Sequence, residues 1–285
     1  MVNDSRQPPR FYPDPLEIGE AELRADQRFV IRCARTTEEL WRDFAHALAE
    51  VLETSRRDGR RATLLLSAER FDYRAAAAEV NRRATGAAHA VIFLAGEFCD
   101  ERGRLVPPDH ALSVRAHFQR DFVDALAPQL RPLPRNIVAP DPARPGDFGA
   151  RATDEGSIDV CFTGLGRDGR HAFNVPEAPG EPRDAACFEQ LTRTVQLPDR
   201  SRELLAAEYG VAPALVPPMA VTAGPGDVMR VAQLRLYLPH AWQAGPIRRV
   251  FYGPVTPRFP ASIMQRHPEL TVAMTEAVAR KPEKD

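Results

Sequence analysis

Ile158-Asp-Val-Cys-Phe-Thr-Gly-Leu-Gly-Arg-Asp-Gly-Arg-His-Ala-Phe-Asn-Val-Pro-Glu-Ala-Pro-Gly180 is the stretch on which the reading of this chain turns. Residues 158–162 form a largely apolar run that reads as a buried strand. Gly164, Gly166 and Gly169 then predict a tight turn, and the residues after it predict a short helix. A strand, a glycine-rich turn and a helix in that order present backbone amides to a small anionic or polar ligand. The segment thus predicts an α/β fold and also the place of its site.

The flanking segments continue the alternation. Thr36-Thr-Glu-Glu39 has capping-box spacing and precedes Leu40, Trp41, Phe44, Leu48, Val51 and Leu52, whose intervals suit one face of an amphipathic helix. Residues 62–66 and 89–95 predict strands without polar alternation, and a helix is expected between them over 73–83. Residues 96–110 read as a loop, 112–127 as a helix, and the proline-bearing 128–154 as a loop with one short strand at 136–139. Later strands are expected at 219–222, 233–238 and 270–274. The pattern predicts a single three-layer α/β/α domain with a mostly parallel, doubly wound sheet, its ligand site at the carboxyl ends of the strands. The strand ends after Leu66, Ala95 and Phe162 are the expected positions. Residues 25–278 are taken as this domain, residues 1–24 as an N-terminal extension and residues 279–285 as a polar tail.

Composition narrows the function classes. The 285 residues are 44% hydrophobic with a formal net charge of −1, which gives no electrostatic reason to expect nucleic acid. Cys33, Cys99, Cys161 and Cys187 form no CxxC or Cys/His cluster, so neither a disulfide scaffold nor a metal site is expected. With no signal-peptide core and no membrane-length apolar run, the expectation is a cytoplasmic protein without membrane contact. Lysine stands only at Lys281 and Lys284. A Schiff-base or phosphate-gripping lysine is therefore not expected elsewhere, whereas arginine remains abundant for bidentate contacts.

Gly164-x-Gly-x-Asp-Gly-x-x-Ala-Phe-Asn174, Gly103-Arg-Leu-Val-Pro-Pro-Asp-His110 with Ser113, Gly253-Pro-Val255, and Pro260-Ala-Ser-Ile-Met264 with His267-Pro268 resemble, in order and spacing, the glucosamine-6-phosphate deaminase/isomerase family, related to the 6-phosphogluconolactonases. The resemblance extends over most of residues 25–278. It implies aldose–ketose isomerisation of a phosphorylated amino sugar with loss of ammonia, no cofactor, a small sugar-like ligand and an option of homo-oligomerisation. Such chemistry needs a ring-opening acid/base, a carboxylate that moves a proton between adjacent carbons, and a phosphate pocket.

Set against the family pattern, the chain differs at each of these. Gly96-Glu97 stands where the family carries an Asp-Glu pair, with Asp100-Glu101 nearby. Arg170 stands where the family's histidine follows Asp-Gly, and His171 comes one place later; a guanidinium binds anions or polarises a carbonyl but shuttles no proton. Val175 replaces the supporting glutamate, with Glu177 two residues on. Ser67-Ala-Glu-Arg70 replaces the phosphate loop, and Glu69 would repel a phosphate. Arg202 matches the family's phosphate-binding arginine, while the phosphate-binding lysine falls near Trp242-Gln243.

Three readings stay open. In the first, a diverged sugar isomerase, deaminase or lyase uses Asp168 and Glu97 as carboxylates, Arg170 as electrophilic stabiliser and His171 as acid. Its ligand would be held by Ser67, Glu69, Arg70, Gly96, Gly164, Gly166, Gly169, Arg202 and Trp242, and would not be glucosamine 6-phosphate itself but a molecule that lacks the usual phosphate or bears a positive charge near Glu69. In the second, catalysis is lost and the pocket is a binding or regulatory site. The third is lactone hydrolysis, prompted by Val106-Pro-Pro-Asp-His110.

Overall fold

The computed structural model describes residues 14–282. Its core is one sheet with apolar residues facing both ways. Along Ala62–Leu66 (β2, after the edge strand β1 at Val30–Ala34), Leu64 and Leu66 enter one hydrophobic cluster while Leu65 enters another on the opposite face. A strand buried on both faces needs no polar alternation, which is why this run reads as continuously apolar. Ala90–Leu94 (β3) repeats the pattern, with Ile92 and Leu94 on one side and Val91 and Phe93 on the other. The remaining strands are Gly96–Cys99 (β4), Ile137–Val138 (β5), Val160–Thr163 (β6), Arg193–Gln196 (β7), Met219–Thr222 (β8), Gln233–Leu238 (β9) and Leu270–Thr275 (β10).

Seven strands pair in the order β1-β10-β9-β6-β2-β3-β5, and every pair is parallel. Before them comes Glu20–Arg24 (α1). Thr37–Arg57 (α2) and Tyr73–Arg83 (α3) cover one face through Phe44, Leu48, Ala76 and Val80. Fully burying a Phe or Leu side chain stabilises by about 1.5–3 kcal/mol. Thr36 caps α2 as its spacing predicts, its side chain accepting from the Glu39 amide at 3.2 Å. The helices that follow are Val114–Phe118 (α4), Gly146–Asp154 (α5), Asp199–Tyr209 (α6), Pro225–Val228 (α7), Ala244–Tyr252 (α8) and Glu276–Ala279 (α9). Phe148 of α5 and Ile247, Val250 and Phe251 of α8 cover the other face. Ile18 and Leu23, on the stretch read as an extension, are buried in the same cluster.

From β2 the chain moves outward through β3 to β5, and from β6 it moves the opposite way through β9 to β10. The order reverses between β2 and β6, and in open α/β sheets a crevice forms outside the carboxyl ends at such a reversal.

Several expectations need correction. The residues after the glycine turn form no helix: Gly169 has φ +80° and Ala172 φ +48°, and His171 and Asn174 form an isolated antiparallel bridge instead. Residues 96–99 are not loop but β4, in a second, antiparallel sheet of order β4-β8-β7. Residues 146–154 are helical. The helix expected over 112–127 is α4 only as far as Phe118 and continues as one wide π-turn over Gln119–Val123.

Candidate active site

A cleft opens at the reversal between β2 and β6. Glu69, Arg70 and Phe71 line it from the segment after β2, Gly164, Leu165 and Arg170 from the segment after β6, and Pro239, His240, Trp242 and Gln243 from the segment after β9. Trp41 and Tyr237 close one wall, Glu208 and Tyr209 another. It encloses about 500 Å³, open solvent at its mouth included. The third strand end at the cleft is thus that of β9. The end of β3, which the sequence suggested, leads within one residue into β4.

The glycine turn shapes the cleft for side chains. A Cβ on Gly166 would strike the Arg170 guanidinium, meeting Cζ at 2.6 Å, and one on Gly164 would meet Glu69 Cγ at 3.1 Å. These two glycines make room for Arg170 and Glu69, and Gly169 supplies the left-handed backbone that the turn needs, against Phe259.

Arg170 is 1% exposed and held on two sides. Its Nη1 donates to Asp168 Oδ1 at 3.3 Å and to Glu208 Oε1 at 3.1 Å, and its Nη2 pairs with Glu208 Oε2. Asp168 Oδ1 also accepts from the Arg170 amide, and Asp168 Oδ2 from the Ser201 hydroxyl at 3.1 Å. Burial alone would lower the Arg170 pKa, but the Glu208 and Asp168 carboxylates raise it above the ordinary value, so the guanidinium is a fixed cation. Its Nε–H has no partner and is sealed from solvent.

Glu69 carries the complementary feature. The residue is partly buried at the cleft wall, and its Oε2 is sealed and unpartnered. Oε1 accepts from the Ala172 amide at 3.2 Å, a contact that the left-handed backbone of Ala172 presents. Burial pushes the Glu69 carboxyl up to about 7, with the Arg170 charge pulling against it. Within one cleft there is therefore one buried acceptor and one buried donor without partners.

Other residues expected at the site lie elsewhere. Glu97 is fully buried, and its oxygens accept from the amides of Phe98, Val114 and Arg115, from Ser113 Oγ and from Arg115 Nε. It holds the start of α4 and does not line the cleft. Gly96 packs against Phe173 and the Val221 carbonyl: a Cβ there would meet them at 2.7 and 2.8 Å. His171 is fully buried with both ring nitrogens unpartnered, and burial, followed by the Arg193 charge, drives its pKa down to about 3. Ser67 is buried beside Thr163, whose hydroxyl donates to it at 3.3 Å. Arg202 is tied to the Val216 carbonyl at 3.0 Å and to Asp199 at 3.2 Å. Glu97, Asp168 and His171 do not converge on one cavity. Glu69, Arg70, Arg170, Gly164 and Trp242 do.

The chain is similar to known proteins in sequence and in fold. The glucosamine-6-phosphate deaminase of Rhodopirellula baltica is 31% identical over 180 residues, which are 60% of this chain and 66% of the relative. That of Pseudarthrobacter chlorophenolicus is 29% identical over 180 residues, 61% and 64% of the two chains. The solved structure of a monomeric glucosamine-6-phosphate deaminase superposes with a TM-score of 0.73 at 20% identity, covering 88% of this chain and 99% of that one.

The chain belongs to the glucosamine-6-phosphate deaminase/isomerase family.

The same fold is seen in the 6-phosphogluconolactonase from Shewanella baltica, with TM-score 0.58 and 16% identity over 87% of this chain and 98% of that one. No protein-family model matches the chain. The sequence matches span about two thirds or less of the curated deaminases' own length.

Within this deaminase/isomerase fold, sequence reasoning missed Glu208, Tyr209, Trp41, Phe71, Tyr237 and Gln243. Gln243 spans two site loops: its Nε2 donates to the Leu165 carbonyl and its Oε1 accepts from the His240 amide, both at 2.9 Å. Arg167 lies over the Trp242 ring at 4.4 Å, and His240 stacks on that ring at 5.6 Å. Glu208 and Tyr209 end α6, and only the register of that helix relative to β6 brings them to Arg170. Among the described residues, no group of three or more His, Cys, Asp or Glu could hold a metal ion, and no helix is long and apolar enough to cross a membrane.

Proposed function

We propose that the cleft takes an unphosphorylated, sugar-derived molecule and that the chain is a diverged sugar isomerase/deaminase-type enzyme. The observation that carries this is that two carboxylates, Glu69 and Glu208, line the cleft. Arg170 already answers Glu208 and Asp168, and Arg202 is turned to Val216 and Asp199. A phosphate beside Glu69 and Glu208 would meet like charge where the buried cation Arg170 is already engaged, which costs several kcal/mol by the ordinary penalty for poorly paired buried charge. Hydroxyl and carbonyl groups suit the unpartnered acceptor and donor, and Trp41, Trp242, Phe71 and Tyr237 offer flat apolar faces to the C–H surface of a sugar ring.

The ancestral reaction is not expected to survive. Gly96 offers no carboxylate, Arg170 no transferable proton, and Glu97 no free lone pair. A purified sample assayed with glucosamine 6-phosphate should release no ammonia and form no ketose; measurable turnover would contradict the proposal. A second reading, that the pocket only binds, is favoured by how fully Glu97, Asp168 and the Arg170 Nη groups are engaged within the protein.

A further inference from the structure

Glu69 has no role in the pattern that the sequence resembles, where a phosphate loop stands at its position. It is nevertheless the cleft group with an unengaged, solvent-sealed acceptor, facing a site whose fixed cation keeps an unengaged donor. We infer that Glu69 is the catalytic proton-transfer residue of this cleft and that Arg170 Nε–H holds the oxygen on which negative charge develops. This assignment rests on the sugar-site reading given above.

The step balances without a cofactor or co-reactant. The Glu69 carboxylate takes the proton from the carbon next to the carbonyl of an open-chain sugar, and the C–H electron pair forms the carbon–carbon double bond of an enediol(ate). The carbonyl π pair moves onto oxygen beside Arg170 Nε–H. The hydroxyl proton of the adjacent carbon passes to the charged oxygen within the enediolate itself; Glu69, now a carboxylic acid, returns its proton to the former carbonyl carbon, and the carbonyl re-forms one position along. No electron is gained or lost overall. A base for this work should ionise near the working pH, and its other oxygen should be anchored. Glu69 meets both conditions, the second through Ala172.

The groups around Glu69 also fit. The Arg170 charge favours its ionised form, Glu208 opposes it, and Tyr73, Tyr209 and Cys161 are themselves held neutral by burial. A cation fixed by two carboxylates does not compete for the moving proton. Gly164 leaves room for the Glu69 side chain, since a Cβ there would press on its Cγ and Cδ.

The test is solvent exchange. The full chain is incubated in D2O with D-glucose, D-mannose, D-fructose and D-glucosamine. Proton NMR follows loss of the hydrogen on the carbon next to the carbonyl, and saturation-transfer difference reports binding separately. Expected is exchange into at least one bound sugar, with a rate rising with pH through about 7. Glu69→Gln should lower that rate by about 10²- to 10⁴-fold while binding of the same sugar changes less than about tenfold. Binding without exchange, or exchange that Glu69→Gln leaves intact, would overturn the assignment and leave the sugar site standing. No binding by any of the four overturns the site reading and the assignment with it. Should Glu69→Gln not fold, the wild-type pH–rate profile decides, because a flat profile between pH 5.5 and 8.5 rules out Glu69 as the base.

Discussion

Replacing Glu69 by glutamine should change how stability depends on pH, by an amount that the site itself sets. The carboxyl ionises near 4.5 when exposed and at about 7 in the folded chain. At about 1.4 kcal/mol for each tenfold change in proton affinity, burial of the charged form corresponds to about 3 kcal/mol. Between these two values the folded protein holds a proton that the unfolded chain has released. The folded state is therefore favoured at low pH and loses that advantage as pH rises through the interval, levelling off above 7. Glutamine has no such titration. It also brings a buried amide NH2 that lacks a partner, at a cost of about 1–3 kcal/mol that does not vary with pH. The pH-dependent part is what isolates the carboxyl. Urea unfolding of both proteins from pH 4.5 to 8.5 should give a stability difference, variant minus wild type, that rises by about 3 kcal/mol. His171 titrates in the same range in both proteins and drops out on subtraction. A flat difference, or one that falls with pH, would refute the claim that Glu69 is a buried, poorly compensated carboxyl.

Three further perturbations address the surroundings of the site. Arg170→Met leaves Glu208 and Asp168 buried without their cation and should cost about 3–5 kcal/mol by chemical denaturation; unchanged stability would mean that the network carries no load. His171→Leu removes two unpartnered buried nitrogens. The folded-state pKa of about 3 means that the native protein refuses a proton which the unfolded chain accepts below about 6.5. The wild type thus loses stability as pH falls, and the leucine variant's advantage should grow by about 2 kcal/mol between pH 6.5 and 5; an advantage independent of pH contradicts the buried neutral imidazole. Gly96→Asp, which restores the family's residue, must push a Cβ against Phe173 and the Val221 carbonyl. It should lower the melting temperature and yield no deaminase activity, and a fully stable variant would show that the two contacts yield easily.

What the sequence made legible follows from where burial is uniform. Residues 62–66, 73–83, 219–222 and 233–238 are bounded as expected, because strands covered on both faces and an alanine-rich helix carry their pattern locally. The edge strand β1 was missed because Val30 is 56% exposed and Arg32 faces Asp43, so the run looks mixed. For β4 the reason is different. Gly96 and Glu97 are poor strand formers, and only pairing with β8 and the capping of α4 makes them a strand. The helix expected after the motif fails at Gly169 and Ala172, whose left-handed backbone ends any helical run.

The candidate site was half legible for a related reason. Its glycine motif marks the reversal between β2 and β6 because a close approach is needed there whatever the chemistry. The role of each side chain depends on direction, which spacing alone does not give. Glu97 looked available and proves to be a helix anchor; Glu69 looked like an obstacle to phosphate and is the cleft carboxylate with an unpartnered oxygen. Arg170 was recognised as a cation, but its partner Glu208 lies 38 positions away, on a helix whose register against the turn is fixed only in three dimensions.

The most direct test of the account is a matched pair of calorimetric titrations, in which the full chain meets a free sugar and then the same sugar carrying a 6-phosphate. The predicted result is measurable binding of the free sugar and binding at least about tenfold weaker for the phosphate, as like charge beside Glu69 and Glu208 requires. Tighter binding of the phosphorylated sugar would contradict it.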